Sequence, residues 1–338
     1  MVSDLGKYMV NVYAYKHFGR KVNDGSWAEK DVGHARTGGP HMTAHSLASR
    51  AMYSVNPDNR TAAALPDLAQ GLSAPLLTLS GVSKTFGKTR ALSDLSVSIT
   101  PGEFVTVVGP SGCGKSTLFN IVAGLEEPDD GGRIEFLGKP CKASDLLGKV
   151  SFMPQRDLLL PWRTVIDNAI LAVELEGARR ADARRAALDM LPEFGLAGFE
   201  KQYPHELSGG MRQRVALMRT FMFNRDLMLL DEPFGALDAL TRTMMQRWLL
   251  DVWQKHRRTI LFITHDVDEA IFLGDRVLVM TSRPGQVKME QAVSLPRPRR
   301  ADIVTSAEFM KLKRVLLEAI EEESMKSFTA SERSQGGH

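Results

Sequence analysis

Residues 109–117 read GPSGCGKST, a spacing of glycines, one lysine and hydroxyl residues that suits phosphate binding. The loop directly follows the apolar run EFVTVVG and precedes STLFNIVAGL, which has helical spacing. Glycines let successive backbone N–H groups turn toward one point, and the N-terminus of a helix adds its positive dipole end. Lys115 is expected to bridge the β- and γ-phosphates of a nucleotide, Ser116 to bind Mg²⁺, and Thr117 to reach the α-phosphate.

The assignment to phosphate binding covers all nine loop residues: Gly109, Pro110, Ser111, Gly112, Cys113, Gly114, Lys115, Ser116 and Thr117. Cys113 is interpreted as a small filler, because nothing that flanks it suggests a nucleophile.

Three further candidates lie at the ends of later apolar strands. In LMLLDEP, Asp231 ends the strand, where it is placed to hold Mg²⁺ through water, and Glu232 is placed to polarise an attacking water. His265 ends the run TILFITH. Ligands bind at the carboxyl ends of the strands of a parallel sheet, so His265 is predicted to contact the γ-phosphate.

A second anion-binding loop is present in LSGGMRQR, residues 207–214. Ser208 lies 93 residues after Lys115, so the two loops need not face the same nucleotide. In a two-fold dimer, Ser208, Gly209 and Gly210 of one copy would close on the γ-phosphate held by the other copy. Two nucleotides would then hold the dimer closed, and hydrolysis would release it.

From about Leu76 to Lys326 the chain resembles the ATP-binding subunits of ABC transporters. The family's motifs occur in order: an aromatic residue at Phe86, GPSGCGKST, Gln155, LSGG, LLDEP, GALD and His265. The resemblance implies that ATP and Mg²⁺ are bound, that Phe86 stacks on adenine and that Glu232 is the catalytic base. It also implies that Gln155 links the Mg²⁺ site to a transmembrane partner and that Asp238 crosses the dimer interface.

The resemblance assigns catalytic roles to Lys115, Gln155, Glu232 and His265, and Mg²⁺ binding to Ser116, Gln155 and Asp231. The chain departs from the family pattern at Met211, where glutamine is usual after LSGG. This departure puts in doubt any contact of that side chain with the nucleotide, whereas the cradle formed by Ser208 and the glycine backbones is kept.

Strands that alternate with helices position these residues and predict an α/β fold with a mainly parallel sheet covered on both faces. Strands are predicted in LLTLSGVSKTF, LSDLSVSI, EFVTVVG, LMLLD, TILFITH and DRVLVM. Helical patterns cover 165–200, the segment after LSGG, about 240–256 and 306–328, while Pro296 and Pro298 indicate a linker. The resemblance refines this fold to a P-loop NTPase with an antiparallel β subdomain and an inserted helical subdomain at about 156–225.

The sequence divides the chain into three predicted parts. Residues 1–75 are rich in Gly, Asn, Asp, Ser and Ala and read as a loose extension, with a short helix near Thr43–Tyr53. The spacing of His17, His34, His41 and His45 there matches no compact metal-ligand pattern. Residues 76–300 form the ATPase domain, and residues 301–338 form an amphipathic helix and tail.

Composition excludes several classes of protein. The net charge is +3, from 43 basic and 40 acidic residues, which is too small to indicate a nucleic-acid partner. Two cysteines give no disulfide framework, and we find neither a secretory signal nor an apolar run of about 18 residues. A separate chain would therefore supply any membrane part. The resemblance places the protein peripherally at the cytoplasmic face of the inner membrane, bound to a permease and through it to a solute-binding protein.

The connecting segments are similar to those of the nitrate, sulfonate and taurine importer group, notably LLLPWRTVIDNAI, FLGDRVLVMTSRPGQV and LPRPRR. Leu158–Leu160 and Trp162 follow Gln155 and either form a docking surface for a permease helix or pack into the core. The transported solute cannot be read from the sequence.

A soluble ABC ATPase acting on DNA or the ribosome is the alternative function. Its DNA-repair members carry long coiled coils between the two loops, and its translation factors carry two ATPase domains in tandem. The 93 residues between the loops leave no room for a coiled coil, and the chain is expected to carry one ATPase domain. A phosphate-loop kinase or GTPase would have no use for LSGG.

Overall fold

The computed structural model describes residues 74–335. The predicted helix at Thr43–Tyr53 and the four histidines before it lie outside the described residues. The strands of the described part are numbered along the chain: β1 (Leu77–Phe86), β2 (Thr89–Ile99), β3 (Phe104–Val108), β4 (Arg133–Phe136), β5 (Lys139–Cys141), β6 (Ser151–Met153), β7 (Leu227–Asp231), β8 (Thr259–Ile263), β9 (Arg276–Met280) and β10 (Val287–Ala292).

The helices of this part are α1 (Lys115–Val122), α2 (Val165–Ala169), α3 (Leu171–Leu175), α4 (Arg180–Met190), α5 (Gly209–Met222), α6 (Ala239–His256), α7 (Val267–Leu273) and α8 (Ala307–Gln335). The pattern across 165–200 thus resolves into three short helices rather than one. Helices near 240–256 and 306–328 are confirmed by α6 and α8.

Six strands form the central sheet in the order β10-β9-β3-β8-β7-β6. All neighbours pair in parallel except β10, which runs antiparallel to β9 at one edge. Every residue of β3, β7 and β8 is buried, as expected for strands covered on both faces. The predicted α/β fold with a mainly parallel sheet is confirmed.

A second sheet is antiparallel, with the strand order β2-β1-β4-β5. It shares one hydrophobic cluster with α1 and one face of the central sheet, to which β3 contributes Val105 and Val107. Phe104 and Val108, which alternate with them, enter a second cluster on the opposite face with the helices α2, α4, α5 and α6. The central sheet is therefore the layer that both cores share.

The four strands β4, β5, β6 and β10 were not predicted from the sequence. β4, β5 and β6 have only three or four residues, and β5 contains a proline. Such segments are too short for an alternating pattern to be recognised. Their pairing is decided by neighbouring strands rather than by their own composition.

Pro296 and Pro298 lie in an irregular segment that joins β10 to the C-terminal part of the chain, as a linker would, and this segment is packed against the domain. Arg299, between α7 and α8, is buried and donates from Nη1 to the carbonyls of Ile271, Phe272 and Gly274, at 2.6–3.0 Å. These carbonyls end α7 and have no partner within that helix. Burial lowers the pKa of Arg299 to about 9, with a further contribution from the neighbouring Arg297. The segment therefore fixes the C-terminal end of α7.

The C-terminal helix α8 packs on the body of the ATPase domain. Phe309 and Leu316 are buried in the cluster that contains α7, and Lys313 pairs with Asp268 at 2.8 Å. Among residues 74–335, no helix combines the length and the apolar composition needed to cross a membrane.

Candidate active site

The predicted functional residues follow four adjacent strands of the central sheet at the edge where these strands end. In the register, Val107 of β3 pairs with Ile263 of β8, and Ile263 pairs with Asp231 of β7. β6 adds Met153, paired with Leu230. Parallel strands end at one edge, so the phosphate loop, His265, Glu232 and Gln155 emerge from consecutive strands.

The phosphate loop turns from β3 into α1 through Gly114, which caps α1 in the left-handed conformation at φ 111°. A β-carbon at Gly114 would lie 2.7 Å from the carbonyl oxygen of Ala91, so only glycine fits there. Lys115 Nζ donates to the carbonyl oxygens of Gly109 at 2.8 Å and Pro110 at 2.9 Å. The lysine is buried within the curve of its own loop, where its charge lies among the loop's backbone groups.

The carboxylate of Glu232 lies where the other predicted residues meet. Gln155 Nε2 donates to Glu232 Oε2 at 3.0 Å, and Nδ1 of His265 lies 3.3 Å from the same oxygen. Glu232 has φ 44°, in the left-handed region, and its N–H donates to Ile263 O at 3.0 Å. This hydrogen bond to β8 holds Glu232 in its strained backbone conformation. Gln155 and His265, which are far apart in the sequence, therefore both contact one oxygen of Glu232.

The three residues proposed for Mg²⁺ have the oxygen donors that this ion prefers: a hydroxyl, an amide and a carboxylate. Ser116 lies in the first turn of α1 and is exposed, while Asp231 is buried at the end of β7. No group of three or more His, Cys, Asp or Glu residues that could bind a metal occurs within 74–335. A cation here would thus depend on Ser116 and Gln155 together with Asp231, and on the phosphates of a nucleotide.

The second anion-binding loop forms the N-terminus of α5. Ser208 is the N-cap, and its Oγ accepts a hydrogen bond from Met211 N at 3.3 Å. Ser208 and Gly209 are exposed, and Gly210 and Met211 are partly buried. In the described part of the chain no hydrogen bond or ion pair joins Ser208–Gly210 to the phosphate loop. Met211 packs against the core, so its side chain is used for packing.

Two remaining candidates lie at the surface. Asp238 caps α6, where its carboxylate accepts from Thr241 N at 3.0 Å, and hydrogen bonds from Thr241 lower the pKa of Asp238. Phe86 ends β1 with 44% of its surface exposed, and the ammonium group of Lys84 lies 5.2 Å from its ring centroid. An exposed aromatic ring of this kind is suited to stack on a planar base.

Comparison with known proteins places this geometry in one family. The ABC transporter family matches residues 92–235. An uncharacterised ABC transporter ATP-binding protein of Methanocaldococcus jannaschii is 43% identical over 240 residues, which cover 71% of this chain and 88% of the relative. The chain belongs to the ATP-binding subunits of ABC transporters.

Two further relatives of this ABC family carry names that specify a solute. An aliphatic sulfonates import ATP-binding protein of Burkholderia cenocepacia is 45% identical over 229 residues, covering 68% of this chain and 82% of the relative. A formylaminopyrimidine import ATP-binding protein of Halalkalibacterium halodurans is 42% identical over 210 residues, covering 62% and 81%.

A solved ABC cassette, a dimer in a post-hydrolysis state bound to ADP and Pi, is similar to this chain with a TM-score of 0.57. It is 29% identical, and the match covers 65% of this chain and all of that one. These comparisons establish this chain as an ABC-type ATPase with the P-loop NTPase fold.

In this ABC ATPase, the segment that follows Gln155 is held by two residues that the sequence did not single out. Arg219 of α5 donates to the carbonyls of Asp157 at 2.6 Å and Leu158 at 3.0 Å. Asn168, fully buried, donates to the carbonyls of Leu160, Arg163 and Thr164 and accepts from Leu160 N. The sequence carries no signal for these contacts, because the arginine and its acceptors lie about 60 residues apart.

The apolar residues after Gln155 divide between the two predicted environments. Leu159 is buried in the cluster that contains α2, α4, α5 and α6, whereas Leu158, with φ 45°, is partly buried against the cluster on the other face of the central sheet. Trp162 is 71% exposed. The core interpretation therefore holds for Leu159 and in part for Leu158, Leu160 is partly exposed, and Trp162 lies on the surface seven residues after Gln155.

Proposed function

We propose that this ATPase powers an importer, in which ATP closes a dimer of this chain, closure acts on a separate membrane permease, and hydrolysis resets the system. The observation that carries the proposal is the convergence of Gln155 and His265 on the carboxylate of Glu232. Glu232 is the candidate base for the attacking water. It contacts His265, which follows β8, and Gln155, which begins the segment that leads to the exposed Trp162. A pure binding protein would have no need for such a base.

For the reaction, Lys115 and the backbone N–H groups of the phosphate loop would bind the ATP phosphates and orient the γ-phosphoryl group. Glu232 would accept a proton from the attacking water. Gln155 and His265, within 3.0 and 3.3 Å of its Oε2, would hold that carboxylate in position. His265 would contact the γ-phosphate as the nucleotide binds. Phe86 would stack on adenine.

Ser116, Gln155 and Asp231 would hold Mg²⁺. When bound, this ion would neutralise charge that develops on the phosphate oxygens.

The exposed Ser208–Gly210 loop supports a dimer in which each copy completes the other's site. A hydroxyl and backbone N–H groups at a helix N-terminus are suited to bind a phosphate group. Asp238, exposed at the start of α6, would cross the same interface. The solved dimeric cassette similar to this chain supports this arrangement.

The permease would be a separate chain at the membrane, with this subunit bound at the cytoplasmic face and a solute-binding protein delivering the solute. Trp162, exposed seven residues after Gln155, is the residue we propose to dock on the permease. The solute class we propose is a small anionic or sulfur- or nitrogen-containing molecule of the nitrate, sulfonate or taurine type. It is supported by the sulfonate-import relative, and the formylaminopyrimidine-import relative is also consistent with a nitrogen-containing solute.

The first test is a capture experiment with the Glu232→Gln chain, which should bind ATP, lose turnover and accumulate the closed dimer. This chain is added with ATP and Mg²⁺ to detergent-solubilised membranes of the source cells, and partners are identified by mass spectrometry. The Lys115→Ala chain is the matched control, because it should bind ATP weakly and hydrolyse none.

A polytopic permease recovered in stoichiometric amount with Glu232→Gln would support the importer. Ribosomal or DNA-bound partners without a permease would instead support the alternative, a soluble ABC ATPase. Unchanged turnover in either variant would contradict the roles proposed for these residues.

A further inference from the structure

The segment Thr281–Gly285, which reads TSRPG and joins β9 to β10, lies directly against the outside of the phosphate loop. Arg283 Nε donates to the carbonyl oxygen of Gly112 at 3.0 Å. The backbone of Gly285 donates to Ala91 O and accepts from Ser93 N, at 2.9 and 3.0 Å. No room is left for a β-carbon on Gly285 beside the Cys113 carbonyl. Ala91 and Ser93 belong to β2, so their hydrogen bonds hold Gly285 against that strand. The contacts with the phosphate loop itself are those of Arg283 with Gly112 and of Gly285 with Cys113.

The hydrogen bond from Arg283 acts at a flexible point of the phosphate loop. Gly112 has φ 73°, in the region that glycine reaches without strain, and it can adopt many other conformations as easily. The carbonyl and the N–H of a trans peptide point in opposite directions. Holding the Gly112 carbonyl therefore also fixes the peptide that carries the Cys113 N–H, which donates to the Pro110 carbonyl across the loop at 3.3 Å.

The TSRPG segment is itself held by the C-terminal helix. Glu323 of α8 is only 2% exposed, and its Oε2 accepts from Ser282 N at 3.0 Å and Ser282 Oγ at 3.3 Å. Its Oε1 lies 2.9 Å from Lys288 Nζ and 2.8 Å from Lys326 Nζ. A buried carboxylate with four donors around it has little freedom to move, so it fixes Ser282 and the residue that follows.

The charge on Glu323 is maintained by these partners. Burial alone would raise the pKa of Glu323, but hydrogen bonds from Lys326, Ser282 and Lys288 outweigh burial and lower it to about 2. The contact with Ser282 is therefore present in full at every physiological pH.

We propose that Arg283 is a positioning residue for the phosphate loop, and that Glu323 of the C-terminal helix holds Arg283 in place through Ser282. The path of contacts runs from α8 through adjacent residues 282 and 283 to Gly112. The inference rests on the proposed binding of ATP at this loop. It gives α8 a role in nucleotide affinity in addition to its packing on α7.

The test measures the equilibrium Kd of MgATP for the purified full chain carrying Glu232→Gln, so that ATP is not consumed. Arg283→Ala should raise the Kd about tenfold, the lower end of the effect of losing a hydrogen bond to a charged group. Arg283→Lys, which keeps a charged donor, should recover part of the loss. Arg314→Ala removes an exposed arginine on α8 and is the matched control, expected to leave the Kd unchanged.

The role of Glu323 is tested in a double-mutant cycle with Arg283. Glu323→Ala should raise the Kd in the same direction, Glu323→Gln should raise it less, and the exposed Glu321→Ala is the control. Because Glu323 acts through Arg283, the double variant should bind ATP no more weakly than Arg283→Ala alone. Strictly additive effects would overturn the path. So would a Glu323→Ala chain that melts earlier but binds ATP with the parental Kd.

The Lys115→Ala chain separates failure of this inference from failure of the proposed function. If Lys115→Ala weakens ATP binding and Arg283→Ala does not, the positioning role is overturned and the phosphate site stands. If the parent chain itself does not bind MgATP, both proposals are overturned.

Discussion

Arg219 provides a quantitative test of how the segment after Gln155 is held. Its guanidinium is 4% exposed and donates to two consecutive carbonyls, Asp157 O and Leu158 O. Burial lowers the pKa of Arg219 to about 10, partly offset by Asp157, so the side chain stays charged at neutral pH. Arg219→Met keeps the aliphatic stem and removes both hydrogen bonds, leaving two carbonyls in a partly buried loop with no side-chain donor.

The loss can be estimated from these contacts. A hydrogen bond that involves a charged group contributes about 1.5–3 kcal/mol. The new methionine avoids the cost of burying a charge, so we expect Arg219→Met to lower the free energy of unfolding by about 3 kcal/mol in total. In a domain of this size, 1 kcal/mol shifts the Tm by roughly 2–4 °C, so the expected fall is about 6–12 °C.

The assay is thermal unfolding followed by circular dichroism, supported by urea titration. Two variants with the same substitution serve as controls. Arg212→Met removes a partly exposed ion pair with Asp157, 3.2 Å apart, and a hydrogen bond to the Leu207 carbonyl at 2.8 Å. Because this side chain is partly exposed, the variant should lower stability by about 1–2 kcal/mol, less than Arg219→Met. Arg247→Met changes an exposed arginine on α6 and should have no measurable effect. A Tm for Arg219→Met equal to that of Arg212→Met would refute the assignment of the anchoring role to the buried arginine.

Three further predictions address the surface, the site and pH. Trp162→Ala should leave the Tm unchanged, because the ring is 71% exposed, and should uncouple ATP hydrolysis from solute uptake in reconstituted vesicles; a lower Tm with normal uptake would contradict the docking role. Phe86→Ala should raise KM for ATP and leave kcat nearly unchanged, while Phe86→Trp should restore KM; a fall in kcat alone would rule out stacking on adenine. Burial raises the pKa of Glu269, which accepts from Gln246 at 2.9 Å, so the ionised form is disfavoured in the folded state. Glu269→Gln should therefore raise the Tm at neutral pH and lose this advantage below the usual glutamate pKa, where both states are protonated; an equal advantage at every pH would contradict the sign of the shift.

The sequence predicted four of the six strands of the central sheet, β3, β7, β8 and β9, because each is a short apolar run bounded by polar or glycine residues. EFVTVVG, LMLLD and TILFITH all became fully buried strands, and the residues that follow each one meet at a single edge. Residues that follow different strands come close together because parallel strands end on the same side of the sheet. The sequence therefore predicted that Gln155, Glu232 and His265 lie close together. It did not predict that Gln155 and His265 contact the same oxygen of Glu232.

Buried charged residues were the features that the sequence could not predict. Arg219, Arg299 and Glu323 look like ordinary surface positions on polar segments, yet each is buried against backbone groups from a distant part of the chain. A guanidinium or carboxylate becomes an internal structural group only when its partners are in place. For Arg219 and Arg299 those partners are backbone carbonyls, which carry no residue-specific signal. For Glu323 they are Ser282, Lys288 and Lys326. The burial of Arg299, in a segment predicted only as a linker, is an example of the same limitation.

The hydroxyl at the start of α5 has a consequence for which residues can replace it. Ser208 Oγ caps the helix with one lone pair, by accepting from Met211 N, and still has a proton and a second lone pair. Aspartate would cap the helix equally well, but it has no proton to give at neutral pH and its charge would repel a phosphate. Alanine would neither cap the helix nor donate a hydrogen bond to a phosphate. In the proposed dimer, a serine at this position would keep the helix cap while its hydroxyl proton is donated to a phosphate held by the second copy of the chain.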